Sequence, residues 1–111
     1  MKPANLGPFY AAGLYPQIAE ICRKHGYALA VHGSLARDFD LIAVPWVETV
    51  SEPREVVDEL QQTFAFCKGH IPPEGKPHGR IGYSIPFSFG ECRMDISFTM
   101  ALRDAIAERT K

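Results

Sequence analysis

The sequence predicts an α/β domain: a small mixed sheet of about four strands, covered by two or three helices. Three observations carry that prediction. Leu14, Ile18, Ile21 and Cys22 recur at the spacing of one buried helical stripe. Two strand-like runs, around Tyr27–Val31 and Asp38–Val44, stand too close together for a helix between them. From Cys92 to Thr99 apolar and polar residues alternate with a period of two.

Taken in order, residues 1–13 read as an irregular arm, broken by Pro3, Gly7 and Pro8. The first helix begins near Tyr15-Pro16, since proline suits the first helical position. Arg23, Lys24 and His25 complement the negative end of its dipole, and Gly26 supplies the stop. Tyr27-Ala28-Leu29-Ala30-Val31 is a short strand ending at His32-Gly33-Ser34. The next strand runs from Asp38 to Val44 and closes at Pro45. Its second half is apolar on both faces, which places it inside the sheet rather than at an edge. Glu52-Pro53 opens a second helix with Val56, Val57, Leu60 and Phe64 as its apolar stripe. Gly69 to Gly79 is the longest loop and holds three prolines, together with His70, Lys76 and His78. Arg80–Phe87 and Cys92–Thr99 read as two more strands joined by a turn at Ser88-Phe89-Gly90-Glu91. Met100–Arg109, with Leu102 and Ile106 four apart, reads as a terminal helix.

At 111 residues the chain suits a single domain, and its 46% hydrophobic and 23% charged residues are ordinary for a soluble globular protein. A net charge of −1 gives no strong nucleic-acid signal, so an anionic ligand would need a local cluster of cations. No apolar run approaches the roughly 18 residues of a membrane helix, and the N-terminus has no signal-peptide pattern. Cys22, Cys67 and Cys92 are widely spaced, and an odd number excludes a closed disulfide framework. They read as reduced core residues of a cytoplasmic protein. With His70 and His78, Cys67 lacks the close pairs of a zinc site. A domain this small has a thin stability margin, which keeps a homodimer or a protein partner open, with Phe9, Tyr10 and Trp46 as contacts. Trp46 otherwise reads as a core or rim aromatic, and His32 as structural.

The chemistry concentrates in the acidic residues. Asp38 and Asp40 are one residue apart, so on a strand both carboxylates point to one side, their Cα atoms roughly 6.5–7 Å apart. Such a pair repels unless a cation lies between, and Mg²⁺ or Mn²⁺ prefers these oxygen ligands. Asp95, on the polar face of another strand, would supply a third ligand if the strands are neighbours. Gly33-Ser34 offers backbone N–H groups and a hydroxyl to phosphate oxygens, and Lys76 and Arg80 offer charge.

Gly33-Ser34-Leu35-Ala36-Arg37 followed by Asp38-Phe39-Asp40-Leu41 resembles the signature of the DNA polymerase β-like nucleotidyltransferase superfamily. The stretch Arg37–Trp46 is also similar to one found in small phage and bacterial proteins. The resemblance spans about 70 residues, Val31 to Phe98. It implies a minimal nucleotidyltransferase-like fold, with Asp38, Asp40 and Asp95 as catalytic metal ligands. It also implies Gly33 and Ser34 as triphosphate contacts, and transfer of a nucleotidyl group from a nucleoside triphosphate to a hydroxyl. The family carries about ten residues between Gly-Ser and the first Asp, enough for a short helix, where this chain has three. That interval favours a second reading: a catalytically silent nucleotide- or protein-binding module, antitoxin-like or a phage accessory factor.

Overall fold

A computed structural model describes residues 5–65, 67, 69, 71–88 and 92–100. The α/β expectation holds, with a mixed sheet of five strands rather than four and two α-helices. The elements are α1 (Tyr15–Lys24), β1 (Tyr27–His32), β2 (Phe39–Pro45), α2 (Pro53–Thr63), β3 (Glu74–Gly75), β4 (Ile81–Pro86) and β5 (Arg93–Phe98). The fifth strand is the two-residue β3, inside what the sequence presents as loop. Pro72, Pro73 and Pro77 hide it, because a segment that short has no readable periodicity. The expected helix over Met100–Arg109, the turn residues 89–91 and His70 lie outside the described residues, apart from Met100 at the helix's start.

The strand order is β1-β2-β5-β4-β3, with β2 and β5 parallel and every other neighbour antiparallel. β2 is therefore interior, as its two-sided apolar half requires. Alternation sends Phe39, Leu41 and Ala43 of β2 and Met94, Ile96 and Phe98 of β5 into one core. There they join Ile18, Ile21 and Cys22 of α1 and Val56, Val57 and Leu60 of α2. Both helices thus cover the same face. The opposite face, among the described residues, carries no helix, and it holds Asp40, Ser84, Asp95 and Ser97.

The expected irregular arm is partly helical: Phe9–Leu14 forms a π-helical turn running into α1. Tyr10 is the reason. Fully buried, it stacks on Phe39 with ring centroids 4.5 Å apart, and its hydroxyl donates to the Arg37 carbonyl. A residue inside the core excludes the dimer contact expected of it. Trp46 also departs from expectation, standing 79% exposed beyond the end of β2. All three cysteines are buried and unbridged, and burial pushes the Cys22 thiol up to about 12 and Cys67 up to about 11. Among the described residues no helix is long and apolar enough to cross a membrane.

Candidate functional site

The parallel pairing of β2 with β5 aligns Asp40 directly with Asp95. Adjacent strands lie about 4.8 Å apart, so two carboxylates in register on one face meet. Each is flanked by residues that lock the register from the other side: Phe39 and Leu41 around Asp40, Met94 and Ile96 around Asp95, none more than 1% exposed. Pairing continues outward, His32 of β1 opposite Asp40 and Ser84 of β4 opposite Asp95. Four strands thereby place His32, Asp40, Asp95 and Ser84 in one row across the open face.

Electrostatics mark this row. Burial holds the Asp40 carboxyl above the usual carboxylate range, and the Asp95 charge beside it pushes further the same way. Asp38 adds to the rise, a hydrogen bond with the Asp95 carboxyl adds again, and His32 opposes it. Among the described residues neither Asp40 nor Asp95 pairs with an arginine or lysine. Two carboxylates in register on one face offer oxygen ligands of the kind a hard cation prefers.

Gly33 is shaped by the same contact. It adopts φ +79°, and a Cβ there would stand 2.5 Å from Asp40 Oδ2, so the carboxylate lies directly against its main chain. Ser34 turns inward on its own loop, where its Oγ accepts the Ala36 N–H at 3.3 Å. Asp38 sits in the bend before β2 rather than on the strand, and its Oδ1 accepts the Arg93 N–H at 3.1 Å. It ties the start of β2 to the start of β5.

An open cavity of about 480 Å³ covers the row. Of the expected site residues, Asp40, Asp95, Lys76 and Arg80 line it together, while Asp38, Gly33 and Ser34 do not. Among the described residues no group of three or more His, Cys, Asp or Glu converges on one point. Ser84 and Arg93 also line the cavity and are not marked as site residues by the sequence, and His32, which reads there as structural, joins them. Period-two alternation through Asp95 is the signal that would find Arg93. Nothing local marks Ser84, whose place depends on which strands pair. Asp95 forms no ion pair with Arg80 or Arg93 among the described residues. Arg80 bonds Ser97 Oγ at 3.2 Å and Arg93 bonds Ser84 Oγ at 3.1 Å.

The fold and this row define an α/β domain with a carboxylate pair on the sheet face opposite α1 and α2. No family model, curated protein or solved structure matches the chain.

Proposed function

We propose that this chain is a minimal divalent-cation-dependent nucleotidyltransferase. In that reading Asp40 and Asp95 would hold Mg²⁺ or Mn²⁺, and a nucleoside triphosphate donates its nucleotidyl group to a hydroxyl, the α–β phosphoanhydride bond breaking to release pyrophosphate. The observation that supports it is the in-register Asp40–Asp95 pair, whose mutual repulsion a cation would relieve. Mg²⁺ is commonly held by one or two carboxylates with substrate phosphates and water completing the shell, so a pair suffices. When bound, such a cation supplies charge neutralisation at the phosphates. The chain's own residues do the rest. Lys76 and Arg80 offset phosphate charge from the cavity wall, and Asp95 takes the proton of the acceptor hydroxyl. Asp38 acts at one remove, through the Arg93 N–H it accepts.

One observation favours the silent nucleotide-binding module instead. Residues 33–38 contain no helix, and Leu35 takes φ 60° within a tight loop. Melting curves with Mg²⁺ or Mn²⁺, with and without ATP, test the site. A Tm rise that Asp40→Asn and Asp95→Asn abolish is the expected outcome; 100-fold saturation gives about 2.7 kcal/mol of stabilisation. No rise with either cation sinks the reading. Transfer of labelled nucleotide to an added hydroxyl then separates the enzyme from the silent module.

A further inference from the structure

Charges of both signs line the cavity, and among the described residues the acidic pair Asp40 and Asp95 makes no ion pair with Arg80 or Arg93. Asp40 and Asp95 lie side by side in register. Arg80 is held by Ser97 Oγ and by the Pro77 carbonyl, and Arg93 by Ser84 Oγ. Lys76 pairs with Glu74 at 3.2 Å, on the far side from the acidic pair along the sheet. Its stem lies flat on β4, where a Cβ at Gly82 would come within 2.6 Å of Lys76 Cε. With each arginine held by a serine hydroxyl, the guanidiniums and the carboxylates stand as two half-sites in one cavity. A ligand that offers a cation to the carboxylates and phosphate oxygens to the guanidiniums satisfies both.

The Gly33-Ser34 turn that the sequence marks for phosphates lies outside the cavity. The Asp40 carboxylate stands against Gly33, Ser34 Oγ accepts the Ala36 N–H, and neither residue lines the cavity.

We infer that phosphate groups are seated on the β4 side of the Asp40–Asp95 pair, anchored by Arg93 with Arg80 and Lys76, and not on the Gly33-Ser34 turn. The ligand class is a short polyphosphate or its ester. Arg93 is the anchor for three reasons. It stands two residues before Asp95 on the same face, it is exposed to an incoming ligand, and Ser84 already orients its fork. A planar guanidinium grips two phosphate oxygens at once, which a lysine does not. The inference rests on the proposed cation site, since one ligand bridges both half-sites.

Titration calorimetry with inorganic tripolyphosphate, first in chelator and then in Mg²⁺, tests it. Wild type binds in both conditions. Arg93→Ala weakens binding about tenfold or more, as loss of a charge-assisted hydrogen bond implies, Arg93→Lys falls between, and Ser34→Ala stays within about twofold. Alanine at 93 keeps the N–H that Asp38 accepts, and Arg93→Lys keeps the charge, so loss of fold is separable from loss of the fork. Equal weakening by Ser34→Ala, no effect of Arg93→Ala, or no binding by wild type overturns the phosphate seat. Cation-induced Tm shifts without phosphate are read in parallel. If they persist in wild type while Arg93 proves irrelevant, the seat fails and the cation site stands. If they are absent while tripolyphosphate still depends on Arg93, the seat stands and the proposed function fails.

Discussion

Gly33 and Asp40 act as one unit, because the Asp40 carboxylate occupies the space a side chain at 33 would need. Gly33→Ala is expected to cost about 1–3 kcal/mol, combining a disfavoured positive φ with displacement of Asp40. Urea melts measure the loss, and the cation-induced Tm rise should vanish with it. A fully stable Gly33→Ala protein would mean that Asp40 moves away freely. Asp40 itself sets a pH dependence whose sign follows from its raised pKa. A raised folded-state value favours the protonated form, so Asp40's contribution is complete below the ordinary carboxylate range and is lost as pH rises through the folded value. Wild-type stability should therefore fall relative to Asp40→Asn across that window when no cation is present. Saturating Mg²⁺ or Mn²⁺ should flatten the difference. A constant gap between the two proteins at every pH would contradict the raised Asp40 value. Asp38 and Asp40 look equivalent in the sequence. They separate in the structure because only Asp40 lies on the strand, while Asp38 caps the Arg93 N–H.

At the scale of elements, the π-helical turn Phe9–Leu14 steadies the loop between β1 and β2. Tyr10 donates to the Arg37 carbonyl and stacks on Phe39, and the Leu6 N–H donates to the Ala36 carbonyl at 3.0 Å. Burial, with help from Cys92, holds the Tyr10 phenol well above its ordinary range, so it remains a donor. Tyr10→Phe is expected to cost about 1 kcal/mol by leaving that carbonyl without its partner. Denaturant melts give the cost, and hydrogen exchange at residues 35–38 should rise; unchanged exchange there would remove Tyr10 from the loop's support. Breakers at Pro3, Gly7 and Pro8 make this segment look irregular. Its helical character comes from one aromatic side chain finding a place in a distant core, which no local pattern encodes. α1 and α2 are different, since stripe spacing and the Glu52-Pro53 start announce them. Glu55 confirms the latter by accepting the Glu52 N–H at 3.0 Å.

Across the whole molecule, one core on one face of the sheet supports one site on the other. Ile96 is 1% exposed on β5, the central strand, beside Asp95. Ile96→Ala should cost about 2–4 kcal/mol in urea titrations. Trp46→Ala, at a residue 79% exposed, should change stability by less than about 0.5 kcal/mol. Equal losses at both positions would mean that the sheet's two faces are not divided as described.

By itself the sequence determined the class of the fold, both α-helices, the interior place of β2 and the acidic residues on which the site turns. Each rests on short-range information: a 3.6-residue stripe, a two-residue alternation, a proline or a helix-opening glutamate. Only the tertiary structure decided that Asp40 pairs with Asp95 while Asp38 turns aside, and that Arg93, Ser84 and His32 share the cavity. It likewise decided that Gly33 makes room for a carboxylate. Strand order and register are set by how whole faces fit the core, so a side chain's neighbours across a sheet are a property of the packed chain and not of any segment of it.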